Sequence, residues 1–143
     1  MNLYLDTSAL VKLYVEEEGS ATVREAVAGA DSVATAAVAY VEARAAFARR
    51  RRERRLSSDD YRRTVHELDT DWEHYLLLEL TSTLIRRAAE FAETHALRAY
   101  DAVHLASAKI LRERLQGPIH FACWDSNLMT AARREGLTPV RSK

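Results

Sequence analysis

The apolar positions of residues 1–14, MNLYLDTSALVKLY, fall into two patterns that meet at Asp6. Residues 2–5 form a short, mostly apolar run that stops at the aspartate. Thr7 and Ser8, both good helix N-caps, follow, and Ala9, Leu10, Leu13 and Tyr14 then recur at helical spacing. The pattern predicts a buried strand feeding directly into a helix, with Tyr4, Leu10 and Tyr14 in the core around it. In open parallel sheets ligands sit beyond the carboxyl ends of the strands, which gives Asp6 a functional reading. As a helix cap it has a purely structural one.

The same alternation continues along the chain. Residues 16–19, EEEG, read as a loop, and Ser20 as the cap of a helix reaching about Ala28. Residues 32–35 are strand-like. Residues 36–55 predict one long alanine-rich helix, apolar at Val38, Val41, Ala45 and Ala48. Ser57, Ser58, Asp59 and Asp60 restart a helix running to about His74. A strand over 75–80, a helix over 83–95 capped by Thr81 or Ser82, and a helix over 98–115 ended by Gly117-Pro118 follow. Residues 119–124 form a fourth strand stopping at Asp125, 126–135 a last helix closed by Gly136, and Pro139-Val140 a short edge strand. Strands alternating with helices predict an α/β domain with a mainly parallel sheet between two helical layers. The helices over 36–55 and 57–74 make an α-hairpin inserted between the second and third strands. Neither has a core of its own, so residues 1–143 read as a single domain.

Composition narrows the class. At 143 residues with 48% hydrophobic positions, the chain is long enough to bury a sizeable core. No apolar run approaches the roughly 20 residues that span a bilayer, so no membrane partner is expected. The N-terminus carries no secretory pattern. The one cysteine, Cys123, excludes an internal disulfide and suits a cytoplasmic location; in its strand-like run it reads as a small buried hydrophobe. His120, three positions away on a strand, points to the opposite face, which argues against a metal pair. Lys plus Arg and Asp plus Glu are equal at 21 each, so net charge is silent on nucleic acid.

The chemistry lies in the acids. Asp6 and Asp125 both stand at strand-to-helix junctions, on the same edge of a parallel sheet. Glu42 and Asp101 stand among apolar neighbours on helices, where a carboxylate needs a partner or a metal. Singly, each reads as a helix start or salt bridge; jointly, the four suit a hard divalent cation, Mg²⁺ or Mn²⁺. Asp6 and Asp101 are the main candidate ligands, with Glu42 and Asp125 completing the shell or binding a second ion.

The segments LYLDTSALVKLY, AYVEARAAF, LRAYDAVHLASA and ACWDSNLMTAARREGL, spread over almost the whole chain, resemble the PIN-domain ribonucleases. Within them, the resemblance is to the VapC-type toxins of toxin–antitoxin pairs. It implies a three-layer α/β/α PIN-like fold. Asp6, Glu42, Asp101 and Asp125 are then the acidic quartet that holds the metal. It matches Thr7 and Ser8 to hydroxyl positions that steady the site, and Asn127 to a position often polar or acidic. It implies metal-dependent endonucleolytic cutting of single-stranded or looped RNA, leaving a 5′-phosphate and a 3′-hydroxyl. It also implies a small cognate antitoxin lying over a groove framed by the 36–74 hairpin, and a homodimer formed through the early helices. A catalytically silent module and a housekeeping RNA-processing nuclease remain as alternatives. A dehalogenase-type phosphatase needs a second aspartate where Ser8 stands, and the paired acids of a receiver domain are missing.

The arginine run 49–55, RRRRERR, reads either as an RNA-tracking surface or as a solvated helix end complementing the dipole. Arg49 and Arg50 within it, and Arg44 and Arg98 nearer the acids, are the candidate phosphate contacts. His104, three positions after Asp101, reads as packing rather than as a general base. Trp72, Tyr75 and Trp124 read as core or interface aromatics rather than base-stacking platforms.

Overall fold

In the computed structural model, which describes residues 1–140, β1 (Asn2–Leu5) is the central strand of a five-stranded sheet. The last three positions of the predicted 1–143 domain lie outside the described residues. On one side of β1 lie β2 (Ser32–Ala36) and, at the edge, β3 (Leu76–Leu78). On the other lie β4 (Ile119–Ala122) and the edge strand β5 (Thr138–Pro139). All pairings are parallel, with Tyr4 in register with Ala34 and Phe121, and Leu5 with Ala122. The chain runs outward from β1 to β3, then crosses back to start β4 on the opposite side. The carboxyl edge of β1 and β4 is therefore the switch point where open α/β sheets bind ligands.

Side-chain alternation along β1 divides the core in two. Leu3 and Leu5 face α1 (Thr7–Tyr14), α2 (Ser20–Ala28), α3 (Ala39–Arg52) and α4 (Ser58–Trp72), in a cluster with Leu10, Val23, Phe47 and Leu68. Tyr4 faces the other way, among Phe121, Leu105, Leu84 and Leu128, under α5 (Ser82–His95), α6 (Ala99–Leu115) and α7 (Ser126–Arg134). The α3–α4 pair is the hairpin inserted between β2 and β3. Cys123 is buried, as its apolar run predicts.

Several boundaries and faces differ from the sequence pattern. The long helix begins at Ala39 rather than 36, because Ala36 still pairs with Leu78 in the sheet. It buries Ala39, Ala43 and Phe47, whereas Val41 is 70% exposed. Alanine on every face leaves this helix without periodic contrast, and the fully buried Phe47, with Tyr40 packed against the same cluster, marks the face that turns inward. The cap of α1 is Asp6 itself, ahead of Thr7 and Ser8. Gly19, with φ +92°, takes the cap position of α2; the Ser20 hydroxyl instead accepts from the Glu17 N–H and donates to the Val15 carbonyl. The third strand keeps only three residues of the predicted six. β4 ends at Ala122, so Trp124 lies in a turn and not in the strand.

Candidate active site

Each of the four acids stands at the start of a helix. Asp6 caps α1 and Asp125 caps α7, their carboxylates accepting from the N–H groups of Ala9 (2.9 Å) and Leu128 (2.8 Å). Glu42 and Asp101 lie in the first turns of α3 and α6. An acid is favoured there by the positive end of the helix dipole, which accounts for two carboxylates that look misplaced in the interior of apolar helices. Helix capping and a shared cleft are therefore compatible in one arrangement. All four line a single cleft of 230 Å³ at the β1–β4 switch point, together with Thr7, Ser8, Arg98, His104 and Trp124.

Asp6 is the most buried of the four, at 4% exposure. Its Oδ1 accepts from the Ser8 hydroxyl at 2.7 Å as well as from Ala9 N–H. Burial pushes its carboxyl above the usual range; His104 and these hydrogen bonds oppose the shift, and the nearby Asp101 adds to it. Glu42 behaves oppositely. Burial would raise its carboxyl, but hydrogen bonding and charge from His104, with the Thr7 hydrogen bond, hold it below the usual range.

His104 is packed in the interior, edge-on to Tyr4, as its helical stripe predicts, and is also hydrogen-bonded on both ring nitrogens. It is 2% exposed, and its Nε2 lies 3.1 Å from Glu42 Oε1 and 3.0 Å from Thr7 Oγ1. Its Nδ1 lies 2.7 Å from the Tyr4 hydroxyl. Thr7 spends its single proton on Glu42 at 2.7 Å, so it accepts from Nε2–H. A neutral ring then carries its proton on Nε2 and accepts the Tyr4 O–H at Nδ1. The signal available in the sequence was only the offset of three from Asp101, which places both on one side of α6.

Arg98 caps this side of the cleft: Nε donates to Asp101 Oδ2 at 3.1 Å and Nη2 to Asp125 Oδ2 at 3.4 Å. It is bound to acids instead of presented to a phosphate. The other arginines lie away from the cleft lining. Arg44 donates to the Tyr40 hydroxyl at 2.8 Å, Arg49 pairs with Glu53 at 3.2 Å, and Arg50 pairs with Glu17 at 2.9 Å. Asn127 is exposed and is not among the residues that line the cleft. Trp124, read from sequence as a core or interface aromatic, instead lines the cleft and is 38% exposed.

Among the described residues no three His, Cys, Asp or Glu side chains are arranged to hold a metal ion as they stand. The donor chemistry nevertheless fits a hard cation: carboxylate oxygens surround one cleft, the deepest of them is disfavoured as an anion by burial, and a guanidinium already bridges two. A divalent cation reaching Asp101 and Asp125 would exchange with Arg98.

The PIN domain family description matches residues 3–115. The chain is 36% identical to Ribonuclease VapC49 of Mycobacterium tuberculosis over 138 residues, 94% of this chain and 91% of that protein. Its fold is similar to that of FitAcB from Neisseria gonorrhoeae, with a TM-score of 0.65 at 17% identity over 97% of this chain and 96% of that one. It is also similar to VapBC2 from Rickettsia felis bound to a DNA fragment from their promoter, with a TM-score of 0.63 at 12% identity over 97% of each chain. A match of this extent to the family and to a VapC ribonuclease, on a fold that gathers the expected acids at one sheet edge, means that the chain belongs to the PIN domain family, among the VapC-type ribonucleases.

Proposed function

We propose that this chain is a divalent-metal-dependent endoribonuclease, the toxin of a toxin–antitoxin pair, acting in the cytoplasm as a single PIN-like domain. The observation that carries the reading is the convergence of Asp6, Glu42, Asp101 and Asp125 on one cleft at the β1–β4 switch point. Asp6 and Asp101 are the principal ligands of Mg²⁺ or Mn²⁺, with Glu42 and Asp125 beside them. When bound, the ion lowers the pKa of an attacking water and stabilises charge on the scissile phosphate. Ser8 and the Ala9 N–H fix the Asp6 carboxylate from behind, leaving its second oxygen for the ion. Thr7 and His104 fix Glu42 and keep it ionised. The N-termini of α1, α3, α6 and α7 face the cleft and offset part of the acidic charge that would otherwise repel RNA.

VapBC2 supplies the analogy for a cognate antitoxin, and the cleft lined by Leu13, Tyr14, Val27 and the α4 residues His66, Glu67, Thr70 and Asp71 offers the hairpin-side surface for it. A homodimer belongs to the same reading.

RNA cleavage by purified protein with Mg²⁺ or Mn²⁺, with EDTA, and with Asp6→Asn or Asp101→Asn tests the proposal. Metal-dependent cutting abolished by either substitution supports it. Full activity in both variants would show that the site is elsewhere.

A further inference from the structure

Trp124 is the one tryptophan of two that lines the acidic cleft, and the surrounding contacts hold its ring in place. Lys12 sets its ammonium 4.9 Å from the ring centroid. Gly19 approaches so closely that a Cβ there would sit 2.7 Å from Trp124 Cζ2; its φ of +92° also favours glycine. The Trp124 backbone N–H reaches Ser8 Oγ at 3.4 Å, and that same hydroxyl donates to Asp6. The Trp124 backbone is thus tied by one residue to the deepest acid of the cleft, while 38% of Trp124 stays exposed.

A chain of contacts leads away from it. Lys12 pairs with Glu17 at 3.0 Å, and Glu17 pairs with Arg50 at 2.9 Å, at the arginine-rich end of α3. Lys12 and Arg50 are both paired to Glu17, and Arg51 and Arg52 stand exposed just beyond them on α3. A cleft lined by four carboxylates cannot by itself hold a polyanion. Affinity must come from beside it, and an anchored aromatic ring next to a basic track is how single strands are held without sequence readout.

We propose that Trp124 is a stacking platform for an unpaired nucleobase next to the scissile phosphate, with the RNA backbone entering over Lys12 from the arginine-rich end of α3. This rests on the endoribonuclease reading of the same cleft. The platform requires the base beside the scissile phosphate to be unpaired, because a base stacked within a duplex offers no free face to the ring.

The test uses the full chain carrying Asp6→Asn, to prevent cutting, and Trp72→Phe, so that Trp124 is the sole emitter. A single-stranded oligoribonucleotide of about ten nucleotides, near the usual span of such sites, is titrated in Mg²⁺ buffer. Saturable quenching that a duplex of the same sequence does not produce is expected. In chains retaining Trp72, Trp124→Ala should weaken binding of a dye-labelled strand about tenfold or more, and Trp124→Phe should keep most of it. Arg50→Ala should flatten the salt dependence of binding, and Trp124→Ala should leave that slope unchanged. An unquenched Trp124, or a folded Trp124→Ala chain that binds as tightly as the parent, overturns the platform even where the parent cuts RNA. Quenching by single strands in a chain whose parent cuts nothing supports the platform while the nuclease reading fails.

Discussion

His104 Nε2 lies 3.1 Å from Glu42 Oε1, across 62 positions of sequence, and the contact belongs to a closed network. Thr7 donates to the same Glu42 oxygen, and Tyr4 closes the far side of the ring. Tyr4 is fully buried at the centre of the sheet, its ring stacked on Phe121 at 5.4 Å. One side chain of the central strand therefore both fills the core and holds the histidine that steadies a carboxylate of the cleft.

Breaking this network from its two ends should have unequal effects. Tyr4→Phe removes one hydroxyl and should cost about 1 kcal/mol in urea unfolding, the net worth of a typical buried hydrogen bond. His104→Ala opens a void and leaves Tyr4, Thr7 and Glu42 short of a partner, at a cost of about 2–4 kcal/mol. His104→Gln, which can still donate to Glu42, should recover part of that loss and more of the cleavage rate than His104→Ala retains.

Asp6→Asn should stabilise the metal-free protein while abolishing cleavage. Burial raises the Asp6 carboxyl above its ordinary value of 3.8 in the folded state, so the ionised form costs stability at neutral pH. Its favourable contribution is complete below 3.8 and is lost as pH rises through the folded-state value. Melting curves in EDTA should show the variant higher by about a few degrees at pH 7. The gap should shrink toward pH 4. A variant that melts below the parent at pH 7 would contradict this account.

Arg98 bridges Asp101 and Asp125 and competes with any cation that uses them. Arg98→Ala should therefore bind Mn²⁺ more tightly in calorimetric titration, by about twofold to fivefold, the range for an exposed ion pair. Weaker binding would mean that the guanidinium organises the acids instead.

Burial, with the charge of Asp6 behind it, pushes the Cys123 thiol up to about 12. At pH 8 it is protonated and enclosed, so alkylation by iodoacetamide should run about a hundredfold or more slower in the native chain than in urea. Fast native alkylation would show that the turn after β4 opens.

Local pattern determined much of this protein. The repeated device of strand, aspartate and helix at Asp6 and Asp125 is written in neighbouring residues, because period-two runs and capping chemistry are short-range signals. Strand-to-helix alternation was enough to imply a parallel sheet, and hence that both aspartates share its carboxyl edge. What that pattern left open is which distant surfaces meet. Only the crossover that sets β4 beside β1 brings Asp125 to Asp6. Only the packing of Ala39, Ala43 and Phe47 against the sheet turns α3 so that Glu42 enters the cleft and Val41 faces solvent. His104 reads as packing and Trp124 as a core or interface aromatic, because a helical stripe or an apolar run reports that a side chain avoids water, not which polar groups await it. Those partners, Tyr4 for the histidine and Ser8, Lys12 and Gly19 for the tryptophan, come from other elements and are chosen by tertiary assembly.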